Sequence, residues 1–287
     1  RRELGAQLLW SLSSIPRVSG LRLTSDGKAY PLPGQNEKQI LELSSQQGYQ
    51  PLSRAGSADL YGVYEGRAGK LSSDTSFVPL SGSEPAAAMT AISLDGTLTA
   101  TVTGDPAKVQ IGPSGGAPIT ADTGLTQARS AHFAQGRLWL LGQGSGGQQQ
   151  MLSMSSQGST TAIDLSVLPG EVVDFSLDAS GTRAAMILRI DGTSRFGLAS
   201  LAGGNQLTGW QEIHLMASQE AELADAVSLD WTGEVSIAVI ANAGSGTSVF
   251  VVNEDGSEVT DLGPVSVSPV QVTALPRPGG DAVALRA

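Results

Sequence analysis

The chain contains no cysteine, which excludes disulfide scaffolds, thiolate zinc sites and cysteine nucleophiles and leaves the redox compartment open. Histidine is nearly as scarce. His132 and His214 are the only two, 82 residues apart, so a His-rich metal centre is excluded and a Ser-His-Asp triad would have to recruit one of them. No apolar run is long enough to span a membrane as a helix. Only 15% of residues are charged and 36 are glycine, a balance that favours short strands and tight turns over long solvent-facing helices.

The net charge of −10 is unevenly distributed: residues 1–57 carry +3 and residues 58–287 carry −13. A −13 module repels a phosphate backbone and anionic lipid alike, so no nucleic acid is expected as a partner. Residues 1–57 also read differently. Leu4, Leu8, Leu9, Leu12 and Ile15 recur at helical spacing up to Pro16, and "GLRLTSDGKAYPL" then alternates as two strands about an Asp-Gly turn. Asn36 is placed to cap a second short helix carrying Ile40, Leu41 and Leu43. This α+β segment is too small to bury a sizeable core, and the chain opens inside a helical pattern with no signal peptide, so it is read as the tail of an upstream domain.

From residue 58 onward the text repeats. Aligning one turn glycine per unit gives Gly96, Gly136, Gly181, Gly233 and Gly280, spaced by 40, 45, 52 and 47 residues. Each lies between an apolar strand and an alternating one, as in "EVVDFS" and "TRAAMILRI". Weaker hairpins interleave with these, such as "MLSMSSQGSTTAI" and "VFVVNEDGSEVT". Two hairpins make a four-stranded blade, so the pattern predicts an all-β fold, a five-bladed β-propeller over 58–287. The first hairpin (60–71) and the last (270–286) each lack a partner and would close the ring by pairing. A further repeat hidden in "TGWQEIHLMASQEAELADA" would make six blades instead.

The recurrent Ser-x-Asp before these glycines places Asp95, Asp178 and Asp230 at hairpin turns, where a carboxylate accepts backbone N–H groups. Gln135 stands at the same place in another repeat, so the acid is read as a turn device rather than a site. Asp174 and Asp225 alone put acids near the starts of inner strands, the arrangement a glycosidase would need. The glycine-rich pieces "GQGSGGQQQ" and "NAGSGTS" join strand to strand and lack the Gly-Lys-Ser/Thr of a phosphate cradle. Trp139 is assigned to blade core. Trp210, in a link, and Trp231, in a turn, are either plugs between blades or exposed anchors for a protein partner. No catalytic, cofactor or metal residue is assigned.

The phrase "AQLLWSLSSIPRVSGLRLTSDGKAYPLP", a short link and a propeller opening with "LYGVYEG" resemble the C-terminal part of the actinobacterial LpqB lipoproteins. In that family a GerMN-type domain precedes a dedicated β-propeller, so the resemblance makes residues 1–57 the end of a GerMN region. It implies an extracytoplasmic, lipid-anchored protein of the cell envelope whose anchor lies outside this chain. It also implies a partner, the extracellular region of a sensor histidine kinase, and modulation of MtrA/MtrB-type two-component signalling without enzymatic activity or a cofactor. The competing reading from the residues is a cell-wall carbohydrate-binding or carbohydrate-active propeller using Asp174, Asp225 and the tryptophans.

Overall fold

The computed structural model describes residues 4–5, 7–9, 20–36, 38–42, 60–71, 76–80, 86–104, 106–202, 205–216, 222–243, 246–265, 268–275 and 282–286. The chain divides into two compact units, Arg1–Arg54 and Ala55–Ala287. In the first, Leu4, Gly5 and Gln7 to Leu9 are helical, while Leu12 and Ile15 lie outside the described residues. Four short strands follow: β1 (Gly20–Leu21), β2 (Thr24–Ser25), β3 (Lys28–Ala29) and β4 (Leu41–Glu42). β2 and β3 form the expected hairpin, with Asp26 and Gly27 both left-handed at its turn. Where a second helix is expected, the described residues form a turn and a strand, and Leu43 lies outside the described residues. Asn36 Oδ1 accepts the N–H groups of Lys38 and Ile40, which turns the chain sharply and delivers Leu41 to β1 as a strand. Leu41 then packs with Leu9 and Leu32 in a small core of its own.

The second unit is all β. It opens with β5 (Leu60–Tyr64), β6 (Arg67–Leu71) and β7 (Phe77–Pro79) in one three-stranded sheet. Four antiparallel four-stranded blades follow. The first holds β8 (Ala87–Ile92), β9 (Leu98–Thr103), β10 (Lys108–Pro113) and β11 (Ile119–Asp122), and the second β12 (Leu125–Ala134), β13 (Arg137–Gly144), β14 (Gln149–Met154) and β15 (Thr160–Ile163). The third holds β16 (Glu171–Leu177), β17 (Arg183–Ile190), β18 (Thr193–Ala202) and β19 (Gln206–Glu212). The fourth holds β20 (Ala224–Trp231), β21 (Ser236–Asn242), β22 (Thr247–Asn253) and β23 (Val259–Pro264). A last hairpin, β24 (Gln271–Leu275) and β25 (Ala282–Arg286), packs through β24 on β20, while β5 packs on β8.

The result is the five-bladed propeller that the repeat predicts. The stretch suspected of a sixth repeat supplies β19 and the long connection to β20, so Trp210 belongs to an outer strand rather than a link. No ladder between β5 and β25 is among the described pairings; β5 pairs with β6, and β25 with β24.

Alternation explains why the blades stack. In β17, Ala184, Met186 and Leu188 enter the core between the second and third blades, whereas Ala185 and Ile187 enter the core between the third and fourth. β13 divides in the same way: Leu138 and Leu140 face the first blade, Trp139 and Leu141 the third. A strand buried on both faces reads as a continuous apolar run, which is the text of "LWLL" and "AAMIL". Tight turns close the hairpins. Glu65–Gly66, Gln135–Gly136 and Asp191–Gly192 each put two successive residues at positive φ, the geometry that matches strand twist in a two-residue loop.

Phe250 is fully buried between the third and fourth blades, whereas Leu262 on the outer strand is 54% exposed. Phe250→Ala is expected to cost about 3–5 kcal/mol in urea unfolding, and Leu262→Ala no more than about 0.5 kcal/mol.

Candidate functional site

The acids singled out from the sequence separate into three kinds of use. Asp95 and Asp178 hold their own turns. Asp95 Oδ1 accepts the Ser93 hydroxyl at 2.6 Å and the Thr97 N–H at 3.1 Å, and Gly96 is left-handed beside it. The Ser93 hydroxyl, followed by the N–H and hydroxyl of Thr97, lowers the Asp95 carboxyl below its ordinary value. Asp178 Oδ1 accepts the N–H groups of Thr182 and Arg183, and Oδ2 accepts the Ser180 hydroxyl at 2.7 Å and Arg183 Nε at 3.1 Å.

Asp230 departs from the expected turn role. It is the last residue but one of β20, and the turn beyond the strand is held by Thr232 and Ser236, with Gly233 outside the left-handed region. Its carboxylate reaches sideways in both directions. Oδ1 accepts the Ser176 hydroxyl from the third blade at 2.7 Å, and Oδ2 accepts the Ala274 N–H at 2.8 Å and the Thr273 hydroxyl at 3.2 Å from β24.

Asp174, on the inner strand of the third blade, does the same. Its Oδ1 accepts the Ser130 hydroxyl at 2.5 Å from the second blade; its Oδ2 accepts the Ser228 hydroxyl at 2.7 Å and the Leu229 N–H at 3.2 Å from the fourth. Ser228 Oγ in turn accepts the Val272 N–H at 3.1 Å. The inner strands of the second to fourth blades and β24 are therefore joined by a belt of alternating serines and aspartates. Ser130, Ser176 and Ser228 escaped notice in the sequence because serine on a strand carries no motif; the offset that Ser176 and Ser228 share, five residues before Gly181 and Gly233, was the available signal, and Ser130 stands six before Gly136.

Ser130 and Ser228 donate directly to the Asp174 carboxylate with no imidazole between, so the belt is not a Ser-His-Asp triad. His132 packs its ring edge against Phe175, with centroids 5.1 Å apart. His214 lies beside Glu222, Nδ1 to Oε1 2.9 Å, on the exposed connection between β19 and β20. Asp225 is exposed and left-handed, and Asn242 Nδ2 donates to its Oδ2 at 3.3 Å. Asp174 is buried with both oxygens engaged, so the geometry does not join it to Asp225 as an acid and nucleophile facing a common substrate. Among the described residues no group of three His, Asp or Glu could hold a metal ion.

The two tryptophans part company. Trp231 is 5% exposed, donates its indole N–H to Ser176 O at 3.1 Å and lies under the Arg183 guanidinium, 5.1 Å from Cζ to the ring centroid. It is a plug between the third and fourth blades. Arg183 also pairs with Asp178 and with Glu254 of the next blade and donates to Glu234 O at 2.8 Å. Trp210 is half-buried on the outer strand β19, its ring lying over Gly197 and packed against the core between the second and third blades.

Asp174→Ala would leave two hydroxyls and one N–H without their acceptor and is expected to destabilise the propeller by about 3 kcal/mol. Burial pushes the Asp178 carboxyl up, but Ser180, the N–H groups of Arg183 and Thr182, and the Arg183 guanidinium together bring it below its ordinary value. A lowered folded pKa gives stability that is complete above the unfolded value, about 3.9, and is lost as pH falls through the folded one. Asp178→Asn is accordingly expected to lower the urea midpoint at neutral pH and to flatten its fall in acid.

The profile of the lipoprotein LpqB beta-propeller domain matches residues 71–279. Among curated proteins no sequence matches the chain. Of solved structures, hydrazine synthase of Kuenenia stuttgartiensis is similar at 12% identity with a TM-score of 0.50, over 72% of this chain and 63% of that one. The chain thus spans less than two thirds of the hydrazine synthase chain. The gluconolactonase XC5397 of Xanthomonas campestris is similar at 11% identity, also with a TM-score of 0.50, over 73% of this chain and 72% of that one. At such identities the likeness is one of fold alone.

Proposed function

The chain belongs to the lipoprotein LpqB beta-propeller family, and from that premise we propose that it is a non-enzymatic protein-interaction module of an extracytoplasmic lipoprotein. The observation that supports this reading most is the fate of Asp174, the acid best placed for chemistry at the inner strands. Both its oxygens are committed to holding neighbouring blades together. A ring built this way is rigid, acidic and free to present its rim and connections to a partner.

The partner in this reading is the extracellular region of a sensor histidine kinase, and the consequence of binding is altered two-component signalling. The GerMN-like character of residues 1–57 and a lipid anchor outside this chain belong to the same proposal. Trp210, half-buried on β19, is the one of the two candidate tryptophans left to act as an anchor, since Trp231 is spent inside the ring.

The test is binding of the propeller to the kinase's extracellular region on a biosensor at low and physiological salt. Binding that weakens as salt rises is expected from a module carrying −13 over residues 58–287. Trp210→Ala is expected to weaken it by a factor of about ten or more, the scale of an aromatic anchor. Binding that requires residues 1–57 and ignores the propeller would overturn the assignment.

A further inference from the structure

The seam between the third and fourth blades is not filled to its end. β17 sends Ala184, Met186 and Leu188 into the seam behind it, the largest toward the end of the strand. β21 sends Ile237, Val239 and Ala241, the smallest toward that same end. The inner strand lacks volume there too. Its ladder skips between Ala224 and Ser228, so Asp225, Ala226 and Val227 stand against Ala241 alone, and of these three only Ala226 is buried. A cavity of about 100 Å³ opens at this place, floored by Phe196, Leu215, Ala226, Val239 and Ala241.

The rim is polar and acidic. Arg195 pairs with Glu212 at 3.2 Å, and Glu222, its side chain 51% exposed, meets His214 Nδ1 at 2.9 Å. Asp225 stands exposed between the lining residues Ala224 and Ala226. Three carboxylates thus gather with one guanidinium and one imidazole, an excess of negative charge whether or not the imidazole carries a proton.

The size of the cavity selects its occupant. It is far below the roughly 300 Å³ at which sites for whole small molecules begin, and below the void of about 150 Å³ that takes a benzene ring. A sugar or an aromatic side chain is too large, whereas a branched aliphatic side chain fits an apolar floor of this kind. We infer that the cavity is the socket for a leucine-sized aliphatic side chain of a protein partner, with a lysine or arginine beside it in the partner's sequence reaching Glu222. The inference rests on the protein-interaction reading and gives it a site: an apolar anchor in a pocket with a complementary charge at the rim.

Capped dipeptides test the socket without any particular partner. N-acetyl-leucyl-arginine amide, titrated into the whole chain, is expected to shift the methyl NMR signals of Ala226, Val239 and Ala241 with a dissociation constant in the millimolar range. The leucyl-glutamate analogue is expected to bind about threefold or more weakly, and the glycyl-arginine analogue to leave those methyls unmoved. Ala241→Leu fills the socket and is expected to abolish the shifts without lowering Tm. Glu222→Gln, on the exposed rim, is expected to reduce leucyl-arginine binding toward that of the leucyl-glutamate probe, and carries the test should Ala241→Leu fold poorly. A leucyl-arginine probe that moves none of the three methyls, or that binds no better than the glycyl-arginine one, would overturn the proposal. Ala241→Leu is also expected to weaken binding of the kinase's extracellular region roughly tenfold. Should that region fail to bind the unaltered chain while the dipeptides behave as expected, the kinase falls as partner and the socket stands.

Discussion

The second, third and fourth blades each contribute one strand that must satisfy two cores at once, and the propeller stands on that demand. β13, β17 and β21 send alternate side chains to opposite seams, and their residues are almost all buried. A strand buried on both faces cannot shift by one register without exchanging the two sets, so the size of each side chain is read by two neighbours. Trp139 and Leu141 against Leu138 and Leu140 show the division within four residues. Blade stacking therefore needs no special contact to fix its order; complementary volumes on either side of one strand do so.

The innermost strands face a different problem. They converge toward the axis, where there is less room for large side chains and where backbone groups of adjacent blades come close. Short hydroxyls and carboxylates meet that constraint. Asp174 and Asp230 each accept from the blade before and the sheet after, so one residue satisfies donors on two neighbours. The same economy ties up these acids: the oxygens of both carboxylates are filled by Ser, Thr and backbone donors from neighbouring strands.

The architecture was legible because its signals are periodic and local. Turn glycines at nearly constant spacing, apolar alternation between them and acid-Gly pairs such as Glu65–Gly66 each have a direct backbone meaning. The short helix expected after Asn36 failed for a local reason too. Asn36 accepts the Lys38 N–H in this tight turn as it would at a helix N-terminus, and adds that of Ile40; three apolar residues cannot tell the two apart. Asp230 was misread because the Ser-x-Asp-x-x-Gly text resembles that around Asp178. The difference lies in which donors are near: Thr182 and Arg183 for one, a neighbouring sheet for the other. No sequence pattern announces a donor that arrives from 44 residues away. The belt serines were hidden for the same reason.

Gln149 carries a broader lesson. Its side-chain amide donates to Val172 O at 2.7 Å and accepts the Val172 N–H at 2.8 Å, just where the ladder of β16 slips between Val172 and Asp174. One side chain from the neighbouring blade thereby imitates a whole peptide unit. Repeats that have drifted in length need not realign their strands to remain stackable; a single amide of the right reach absorbs the mismatch. Blades of unequal length, as this chain has, can diverge in sequence while the ring they form keeps its geometry.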